Sequence, residues 1–405
     1  EGEGKGKGTD ENNVLPTRVA HVKAYSPQIF QKLRSRFGVQ EKDFIQSLID
    51  SGPYVSFQSN SKGAARVGGF FFFSRDGTYM VKTIKKAEVK AILEMIPKYY
   101  KFMKHNAKRS LLTRFCGFYS VKLASLDERG STNGEEEEER FFLIMNSVFP
   151  AESSLFISER FDLKGSTVGR ECSKEERETK GSHAVLKDLD LAKEVDVMRS
   201  VSPAFKLPES GICIGPKAKA ALLAQLRKDL NLLVECAVMD YSLLVGVVNM
   251  ELTEGSKSST DIAKEEIRSK MESEAVSENG VCKEIFKALM EPMNNLAAPA
   301  VFLAQEAHKI TLRTLSTVLT QPFPYYGAGT CGVNGGAYSV LSGSRLGRRA
   351  VYYLGVIDFL QPWCTQKVLE RELKGVLGYD KTAISCVDPQ EYADRFIDFM
   401  DKHIC

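Results

Sequence analysis

The spacing of apolar residues divides the chain into helical and extended segments. Apolar side chains recur at three- and four-residue steps over residues 26–50, 86–105, 216–237 and 389–400, which predicts amphipathic helices. Runs of apolar and β-branched residues predict strands over residues 54–57, 70–73, 79–84, 111–126, 140–148, 156–161, 243–248 and 350–357. No internal repeat interrupts this mixture of helices and strands.

Polar segments set the boundaries between these elements. Residues 1–14 are polar and glycine-rich, which predicts disorder, and the charged residues 171–184 favour a mobile loop. The region 251–330 is interpreted as a partly disordered insertion. A plausible hinge at residues 145–150 divides the rest into two parts, 15–148 and 149–405.

Composition narrows the protein class only slightly. The chain has 405 residues, enough for one elaborated two-lobed domain or for two domains, and its 43% hydrophobic and 26% charged residues are ordinary for a globular protein. The net charge of +3 does not favour nucleic acid as a partner, although a local basic face stays open. No apolar run approaches the length of about 18 residues that spans a bilayer, so we expect any membrane contact to be peripheral.

The cysteines predict reduced thiols. There are nine, an odd number, and they are irregularly spaced with no Cys-x-x-Cys pair. This pattern favours a cytosolic protein over one held by disulfides or zinc. The polar N-terminal segment has no apolar core and does not resemble a signal peptide.

Two aspartates stand at the ends of apolar strands. Asp240 is the one charge in the stretch 238–247, and Asp358 follows the apolar run 353–357. A carboxylate at the mouth of a buried strand must be paired, bound to a metal or functional, because isolated burial costs too much free energy. A pair of such aspartates fits metal-assisted phosphoryl transfer, and a buried aspartate satisfied by backbone donors is the alternative.

A small-residue loop precedes both aspartates. The loop 59–69, which contains Gly63, Gly68 and Gly69, lies between two predicted strands, and Lys82 stands on a strand shortly afterwards. Glycines let backbone N–H groups approach a phosphate, and a lysine adds a point charge. The alternatives are a flexible turn and a lysine on the solvent face of its strand.

Further charged residues are candidates for the same chemistry. Glu88, early in the helix 86–105, is a candidate partner for Lys82, because kinase-like sites pair a helix glutamate with the strand lysine. The alternative for Glu88 is a solvated charge. In the stretch 161–170, Lys164 and Arg170 are candidates for holding phosphate, although the hydroxyls and glycines beside them fit a simple turn.

These stretches, in this order, resemble the phosphatidylinositol phosphate kinase family from about residue 25 to residue 400, interrupted by residues 251–330. The most specific similarities are Phe161–Thr167, Met239–Gly246, Gly355–Gln361 and Pro389–Met400. The resemblance implies an α+β, two-lobed lipid-kinase fold distantly related to protein kinases. In this fold the N-lobe has an antiparallel sheet, and the C-lobe has a second sheet with helices. ATP lies between the lobes, and a flat basic face lies on the membrane.

The resemblance also implies roles for individual residues. Lys82 would hold the α- and β-phosphates of ATP, Asp240 would orient or deprotonate the inositol hydroxyl, and Asp358 would bind Mg²⁺. The remaining candidates for the ATP site are Gly63, Gly68, Gly69, Asn146 and Glu88, and the candidates for substrate phosphates are Lys164 and Arg170.

The segment after Asp358 matches the specificity loop of the family. Aligned on Lys367 and Lys374, Glu370 occupies the position where kinases of phosphatidylinositol 4-phosphate have glutamate and the 5-phosphate type has alanine. This favours a phosphotransferase that makes phosphatidylinositol 4,5-bisphosphate.

Three departures from the family pattern keep other readings open. Gln366 replaces a usual lysine, residues 165–171 look closer to the 5-phosphate 4-kinases, and Ala64–Arg66 put bulk in the glycine loop. A 5-phosphate 4-kinase and a weakly catalytic phosphoinositide-binding scaffold are therefore alternatives. A protein kinase is disfavoured, because the chain has neither a His-Arg-Asp loop nor Asp-Phe-Gly.

The resemblance places the protein in the cytoplasm, peripherally at the inner face of the plasma membrane. We expect docking on an anionic surface through Lys367, Arg371 and Lys374, because each basic residue near such a surface contributes about 1 kcal/mol. Further docking candidates, with solvated turn charges as the alternative, are Arg345, Arg348 and Arg349. Homodimers are known in the family, but no residue here requires one.

Overall fold

Two β-sheets with flanking helices form the molecule. A computed structural model of the chain describes residues 18–49, 55–58, 70–74, 76–125, 139–149, 157–201, 211–249, 339–346, 348–380 and 384–405. The predicted disordered segment 1–14, the glycine loop 59–69 and the insertion 251–330 lie outside these residues.

The N-lobe contains a six-stranded antiparallel sheet in the order β1-β5-β6-β4-β3-β2. Its strands are β1 (Arg18–Ala24), β2 (Val55–Gln58), β3 (Phe70–Phe73), β4 (Tyr79–Ile84), β5 (Phe115–Ser125) and β6 (Glu139–Asn146). Most residues of the central strand β6 and half of those of β4 are buried, which fits the apolar residues in both sequences.

Three helices accompany this sheet, namely α1 (Pro27–Arg36), α2 (Glu41–Ile49) and α3 (Lys86–Asn106). The apolar faces of α1 and α3 are buried through residues such as Leu33 and Tyr99, while their charged faces stay in solvent. The predicted helices over 26–50 and 86–105 are confirmed.

The C-lobe sheet has the order β11-β12-β10-β7-β8, antiparallel except for the β7–β8 pair. Its strands are β7 (Ile157–Leu163), β8 (Val185–Lys187), β10 (Ser242–Asn249), β11 (Ser339–Arg345) and β12 (Arg348–Ile357). A separate short pair joins β9 (Val238–Met239) to β13 (Gln361–Pro362). The strand predicted after Asp240 and the strand predicted before Asp358 are confirmed.

The described residues of the C-lobe include the helices α4 (Lys174–Lys180), α5 (Asp188–Val201), α6 (Pro216–Glu235), α7 (Thr365–Val376) and α8 (Pro389–His403). Helices α6 and α8 pack against each other and bury most of their apolar side chains. Helix α7 is different, because it has no buried residue. None of the helices in the described ranges is both long and apolar enough to cross a bilayer.

The prediction of a mobile loop over residues 171–184 was wrong. Residues 174–180 form α4, and a 3-10 turn follows at Gly181–His183. The Ser173 side chain caps α4 by accepting from the Glu176 N–H at 3.1 Å. Opposite charges one turn apart, Lys180 and Glu176 at 3.0 Å, add to this, so a helix forms without an apolar face.

The prediction that all cysteines are reduced was also wrong. Cys213 and Cys405 form a disulfide, with Cα atoms 4.5 Å apart. The backbones beside them pair in parallel at Ile212 and Ile404, and the Cys405 N–H donates to the Ile212 carbonyl at 2.9 Å. Because 192 residues separate the two cysteines, their spacing in the sequence carried no sign of the pairing.

Arg345 was a candidate for membrane docking, and the structure contradicts this. It lies at the end of β11 with its side chain buried, where it pairs with Glu159 at 2.6 Å and with Glu194. A buried cation needs such partners, and two carboxylates from β7 and α5 satisfy it. Arg348 and Arg349 are exposed at the start of β12, the end opposite Asp358.

Candidate active site

Strands β7 and β12 end, and strand β10 begins, at the same edge of the C-lobe sheet. Leu163 at the end of β7 pairs with Leu243, and Leu243 pairs with Val356 near the end of β12. The chain therefore delivers Lys164, Asp240 and Asp358 to one edge, each directly beside one of these strands.

Asp240 lies in a tight turn between β9 and β10. Its backbone is left-handed, with φ of 64°, a conformation that non-glycine residues rarely adopt. Lys164 Nζ donates to its Oδ1 at 2.6 Å and to its carbonyl at 2.8 Å. The hydroxyl of Tyr392 on α8 donates to the next carbonyl, that of Tyr241, at 2.5 Å. The turn is thus held from two sides, while the Asp240 side chain keeps 41% of its surface exposed.

Lys82 bridges the two lobes. It lies in β4, and its Nζ contacts Asp358 Oδ1 at 2.5 Å. Partial burial opposes ionisation of Asp358, but the charge and hydrogen bond of Lys82 outweigh it and lower the pKa of this carboxyl. Asp358 is also left-handed, with φ of 61°, and its side chain is 44% exposed. Its carboxylate is therefore charged and open to solvent.

Phe359, directly after Asp358, anchors this turn in the N-lobe. It is buried and stacks on Phe115 of β5 with ring centroids 5.0 Å apart and on Tyr99 of α3 at 6.5 Å. The Val356 N–H donates to the Leu111 carbonyl at 2.7 Å, which ties the end of β12 to the same lobe. The position of Asp358 therefore depends on both lobes.

The predicted pairing of Glu88 with Lys82 was wrong. Glu88 Oε2 accepts from the Lys85 N–H at 3.1 Å and caps the start of α3. Lys82 pairs with Asp358 instead. A carboxylate in the first turn of a helix satisfies a free N–H group there, so its local role competes with a longer-range one.

Asn146 is among the described residues, whereas the glycines of the predicted phosphate loop are not. Asn146 is buried at the end of β6, where its Oδ1 accepts from the Arg114 N–H at 2.6 Å and its Nδ2 donates to the Ser147 carbonyl at 2.8 Å. Its amide therefore holds the backbone at the hinge, and the role of Asn146 at the ATP site stays a prediction. The predicted phosphate loop residues Gly63, Gly68 and Gly69 lie outside the described residues.

Lys164 and Arg170, both candidates for phosphate, occupy different surroundings. Lys164 is at Asp240, as described above. Arg170 is buried and pairs with Asp162 and Asp188, each at 2.7 Å. Burial alone would lower the pKa of Arg170, but the two aspartates outweigh it and raise the pKa. The structure thus places Arg170 in an internal ion pair and not beside Asp240.

Helix α7 carries the residues that the sequence predicted to set specificity. Glu370 lies between Lys367 at 2.7 Å and Lys374 at 2.6 Å. Burial opposes ionisation of Glu370, but the two lysines lower its pKa. Burial likewise opposes the charge of Lys367, but its pKa is raised, chiefly by Glu370 and also by Asp240. The influence of Asp240 fits a position of α7 close to this aspartate.

Polar contacts attach α7 to the rest of the C-lobe. The Cys386 thiol donates to the Lys367 carbonyl at 3.1 Å, and Arg371 pairs with Glu391 of α8 at 2.8 Å. The predicted docking residues Lys367, Arg371 and Lys374 therefore each have a carboxylate partner. The opposite face of α7 exposes the apolar stripe of Leu369, Leu373, Val376 and Leu377, each 61–84% exposed.

The residues present fit a magnesium ion that shares its ligands with ATP. Asp358 offers Oδ2, for which the described part of the chain shows no partner. No cluster of three metal-ligating side chains occurs among the described residues. Mg²⁺ is commonly held by one or two carboxylates together with substrate phosphates, so Asp358 would hold it jointly with the phosphates of ATP.

Two residues in the site had no sequence signal. Tyr392 fixes the Asp240 turn from a helix about 150 residues away in the chain, and Asp188 holds the backbone of Lys164 from the start of α5. Both are common residue types in ordinary helical surroundings, so only the tertiary fold identifies them.

The comparison with known proteins agrees with this geometry. Residues 53–403 match the family described as Phosphatidylinositol-4-phosphate 5-Kinase. A human phosphatidylinositol 5-phosphate 4-kinase type-2 beta is 26% identical over 96% of this chain and 78% of its own length. Phosphatidylinositol 4-phosphate 5-kinase 5 of Arabidopsis thaliana is 30% identical over 94% of this chain and 42% of its own length.

A probable phosphatidylinositol phosphate kinase of Dictyostelium discoideum is 28% identical over 98% of this chain. The chain spans about half the length of that relative. With almost all of its length matched, the predicted family and the two-lobed fold are confirmed. The chain belongs to the phosphatidylinositol phosphate kinase family and has its lipid-kinase fold.

Proposed function

We propose that this protein is an ATP-dependent kinase that phosphorylates phosphatidylinositol 4-phosphate at the 5-hydroxyl. The observation that carries the proposal is the convergence of two lysine–aspartate pairs. Lys82–Asp358 joins the lobes, and Lys164–Asp240 lies at the same strand edge. Phosphoryl transfer depends mostly on positioning and on neutralising charge, and these four side chains supply both.

Each pair has its own role in the proposed reaction. Asp240 orients the inositol hydroxyl and accepts its proton, since its carboxylate is exposed at a rigid turn. Lys164, already bonded to Asp240, neutralises charge beside the attacking oxygen. Lys82 holds the ATP phosphates, and Asp358 holds Mg²⁺. When bound, Mg²⁺ neutralises the charge on the β- and γ-phosphates.

Glu370 supports the choice of the 4-phosphate. Its carboxylate is fixed by Lys367 and Lys374 at the border of the site, so a change there alters the charge that a substrate phosphate meets. Relatives of both types match the chain, and residues 165–171 favour the 5-phosphate 4-kinase as the second candidate.

We also propose that the enzyme works on an anionic membrane, peripherally at the cytoplasmic face of the plasma membrane. The apolar stripe of α7 supports insertion into the lipid boundary, because a free apolar helix face next to a lipid-kinase site has no partner in the described chain. Since the α7 cations are already paired, we expect docking to depend less on salt than free lysines would imply. A homodimer is compatible with the proposal but is not needed for it.

An assay with radiolabelled ATP tests the reaction. Vesicles contain either phosphatidylinositol 4-phosphate or the 5-phosphate, and Asp240→Asn should lower the rate by about 10²–10⁴-fold because the proton acceptor is lost. Glu370→Ala should lose the preference for the 4-phosphate, whereas Glu372→Ala on the same helix should keep it. Turnover of the 5-phosphate alone would reverse the substrate assignment.

A wild-type protein that transfers no phosphate to either lipid, with ATP and Mg²⁺ present, would favour the phosphoinositide-binding scaffold. Transfer to a peptide but to no lipid would favour a protein kinase.

A further inference from the structure

A buried carboxylate holds the turn that carries Lys164. Asp188, the first residue of α5, is fully buried, and its Oδ1 accepts from the N–H groups of Lys164 at 2.9 Å and Gly165 at 2.7 Å. Two backbone donors on one oxygen fix the turn more firmly than a side-chain contact would. The backbone of Lys164 is therefore fixed in position.

The second oxygen of Asp188 is fixed in turn. Arg170 Nε donates to Asp188 Oδ2 at 2.7 Å, and the same guanidinium donates to Asp162 Oδ1 at 2.7 Å. Asp162 is in β7, two residues before Lys164. The carboxylate thus cannot rotate away from the turn without breaking an internal ion pair.

The turn is also closed on its other side. Gly165 has φ of +70°, and a Cβ added to it would lie 2.9 Å from the Arg395 carbonyl and from the Phe396 Cα. Helix α8 therefore touches the turn directly with its backbone. Asp188 on one side and α8 on the other therefore hold the backbone of the turn in one conformation.

The fixed turn also determines how Lys164 contacts Asp240. From this fixed turn, Lys164 Nζ contacts both Oδ1 and the carbonyl of Asp240, which itself stands in a left-handed conformation. We propose that Asp188 is a positioning residue for phosphoryl transfer. It fixes the Lys164 turn, so that the Lys164 ammonium stays on Asp240 while the inositol hydroxyl reacts. The proposal rests on the proposed kinase function.

Asp190 offers a matched control on the same helix. It too is buried and accepts two backbone N–H groups, those of Cys172 at 2.9 Å and Lys187 at 2.8 Å, and it pairs with Arg177. None of these contacts involves Lys164. Replacing either aspartate by asparagine removes the same charge from the same helix, but only Asp188→Asn alters the catalytic turn.

Steady-state kinetics on phosphatidylinositol 4-phosphate vesicles give the first test. We expect Asp188→Asn to lower kcat by about 100-fold, the loss typical of a small misplacement of a catalytic group, with KM for ATP unchanged. Asp190→Asn should lower kcat only a few-fold at a similar loss of stability. The kcat of Arg170→Lys should lie between those of the two asparagine variants. Arg170→Lys replaces Asp188→Asn in the test if Asp188→Asn does not fold. Equal kcat losses in the two asparagine variants would overturn the proposal.

Hydrogen exchange gives a test that does not need lipid turnover. In Asp188→Asn, or in Arg170→Lys, the Lys164 and Gly165 amides should exchange faster, and exchange at Ser242, just after the Asp240 turn, should rise with them. In Asp190→Asn the affected amides should be those of Cys172 and Lys187. Unchanged protection at Lys164 and Gly165 would disprove the positioning role. Absence of lipid turnover in the wild type, with faster exchange in the variant, would instead count against the proposed function.

Discussion

The buried carboxyl of Asp229 has the most unusual acid–base behaviour among the described carboxyl groups. It lies in α6 with no exposure and accepts from the Leu111 N–H at 2.7 Å and from Gln225 Nε2 at 2.8 Å. Burial raises its pKa to about 7, against the hydrogen bonds, which lower it. Leu111 in turn bonds the end of β12 just before Asp358. A proton on Asp229 is therefore linked to the segment that directly precedes Asp358.

This raised pKa predicts a loss of stability with rising pH. A carboxyl whose pKa is 3.8 when unfolded and about 7 when folded stabilises the protein fully at low pH. That contribution, of order 4 kcal/mol at most, is lost as the pH rises from about 4 through 7. Urea unfolding at pH 5 and pH 8 should show it, and Asp229→Asn should reduce the difference. A wild-type difference that Asp229→Asn leaves unchanged would assign the effect to other groups.

The sequence singled out the aspartates and lysine that the structure brings together, but it did not reveal their partners. Asp240 and Asp358 stand out because a charge at the end of an apolar strand is rare, and strand pairing then brings them to one edge. Lys82 pairs with Asp358 because the lobes close on each other, and no local pattern encodes that distance. Glu88 and Arg170 were misassigned because nearer groups, a helix N–H and two aspartates, satisfy them first.

Helix α7 differs from every other long helix in the described chain, because its apolar residues are exposed. Its polar face is tied down by Cys386 and Glu391, and its apolar stripe of Leu369, Leu373, Val376 and Leu377 faces outward. The sequence did not reveal which face of this helix would be covered. That depends on where the ion pairs form.

The exposed stripe predicts a membrane-binding defect without a folding defect. Replacing Leu369 and Leu373 together by serine should weaken sedimentation with anionic vesicles, because each exposed leucine contributes apolar area only when lipid covers it. Thermal stability should stay nearly unchanged. Val197→Ser is the matched control, since Val197 is also an exposed apolar residue but lies on α5. Vesicle binding by the double variant equal to that of wild type would exclude the stripe as the docking site.

The two lobes contact each other through several groups, among them an ion pair and an aromatic stack. Lys82–Asp358 is partly exposed, and such pairs contribute about 0–1 kcal/mol to stability. Phe359 is buried between Tyr99 and Phe115, where loss of an aromatic ring typically costs about 3–5 kcal/mol. At this interface Phe359 therefore contributes more to stability than the ion pair does.

This division predicts opposite effects for two substitutions at the lobe interface. Lys82→Met should nearly abolish phosphoryl transfer while lowering the free energy of unfolding by no more than about 1 kcal/mol. Phe359→Leu should lower it by more than Lys82→Met does, and should keep measurable activity at low temperature. Calorimetry and the vesicle assay on the same preparations check both. A larger stability loss in Lys82→Met than in Phe359→Leu would contradict the assignment.

Because α7 has no buried residue, its sequence can change during evolution more easily than that of a core helix, and a substrate preference that depends on α7 can change with it. A helix that buries nothing places few demands on the residues that the rest of the fold needs. Substitutions at Glu370 or its lysine neighbours can then accumulate without unfolding the protein, while the strand edge with Asp240 and Asp358 stays fixed. In such an arrangement, one phosphoinositide specificity can give way to another through a few changes in a peripheral helix, with the catalytic machinery inherited intact.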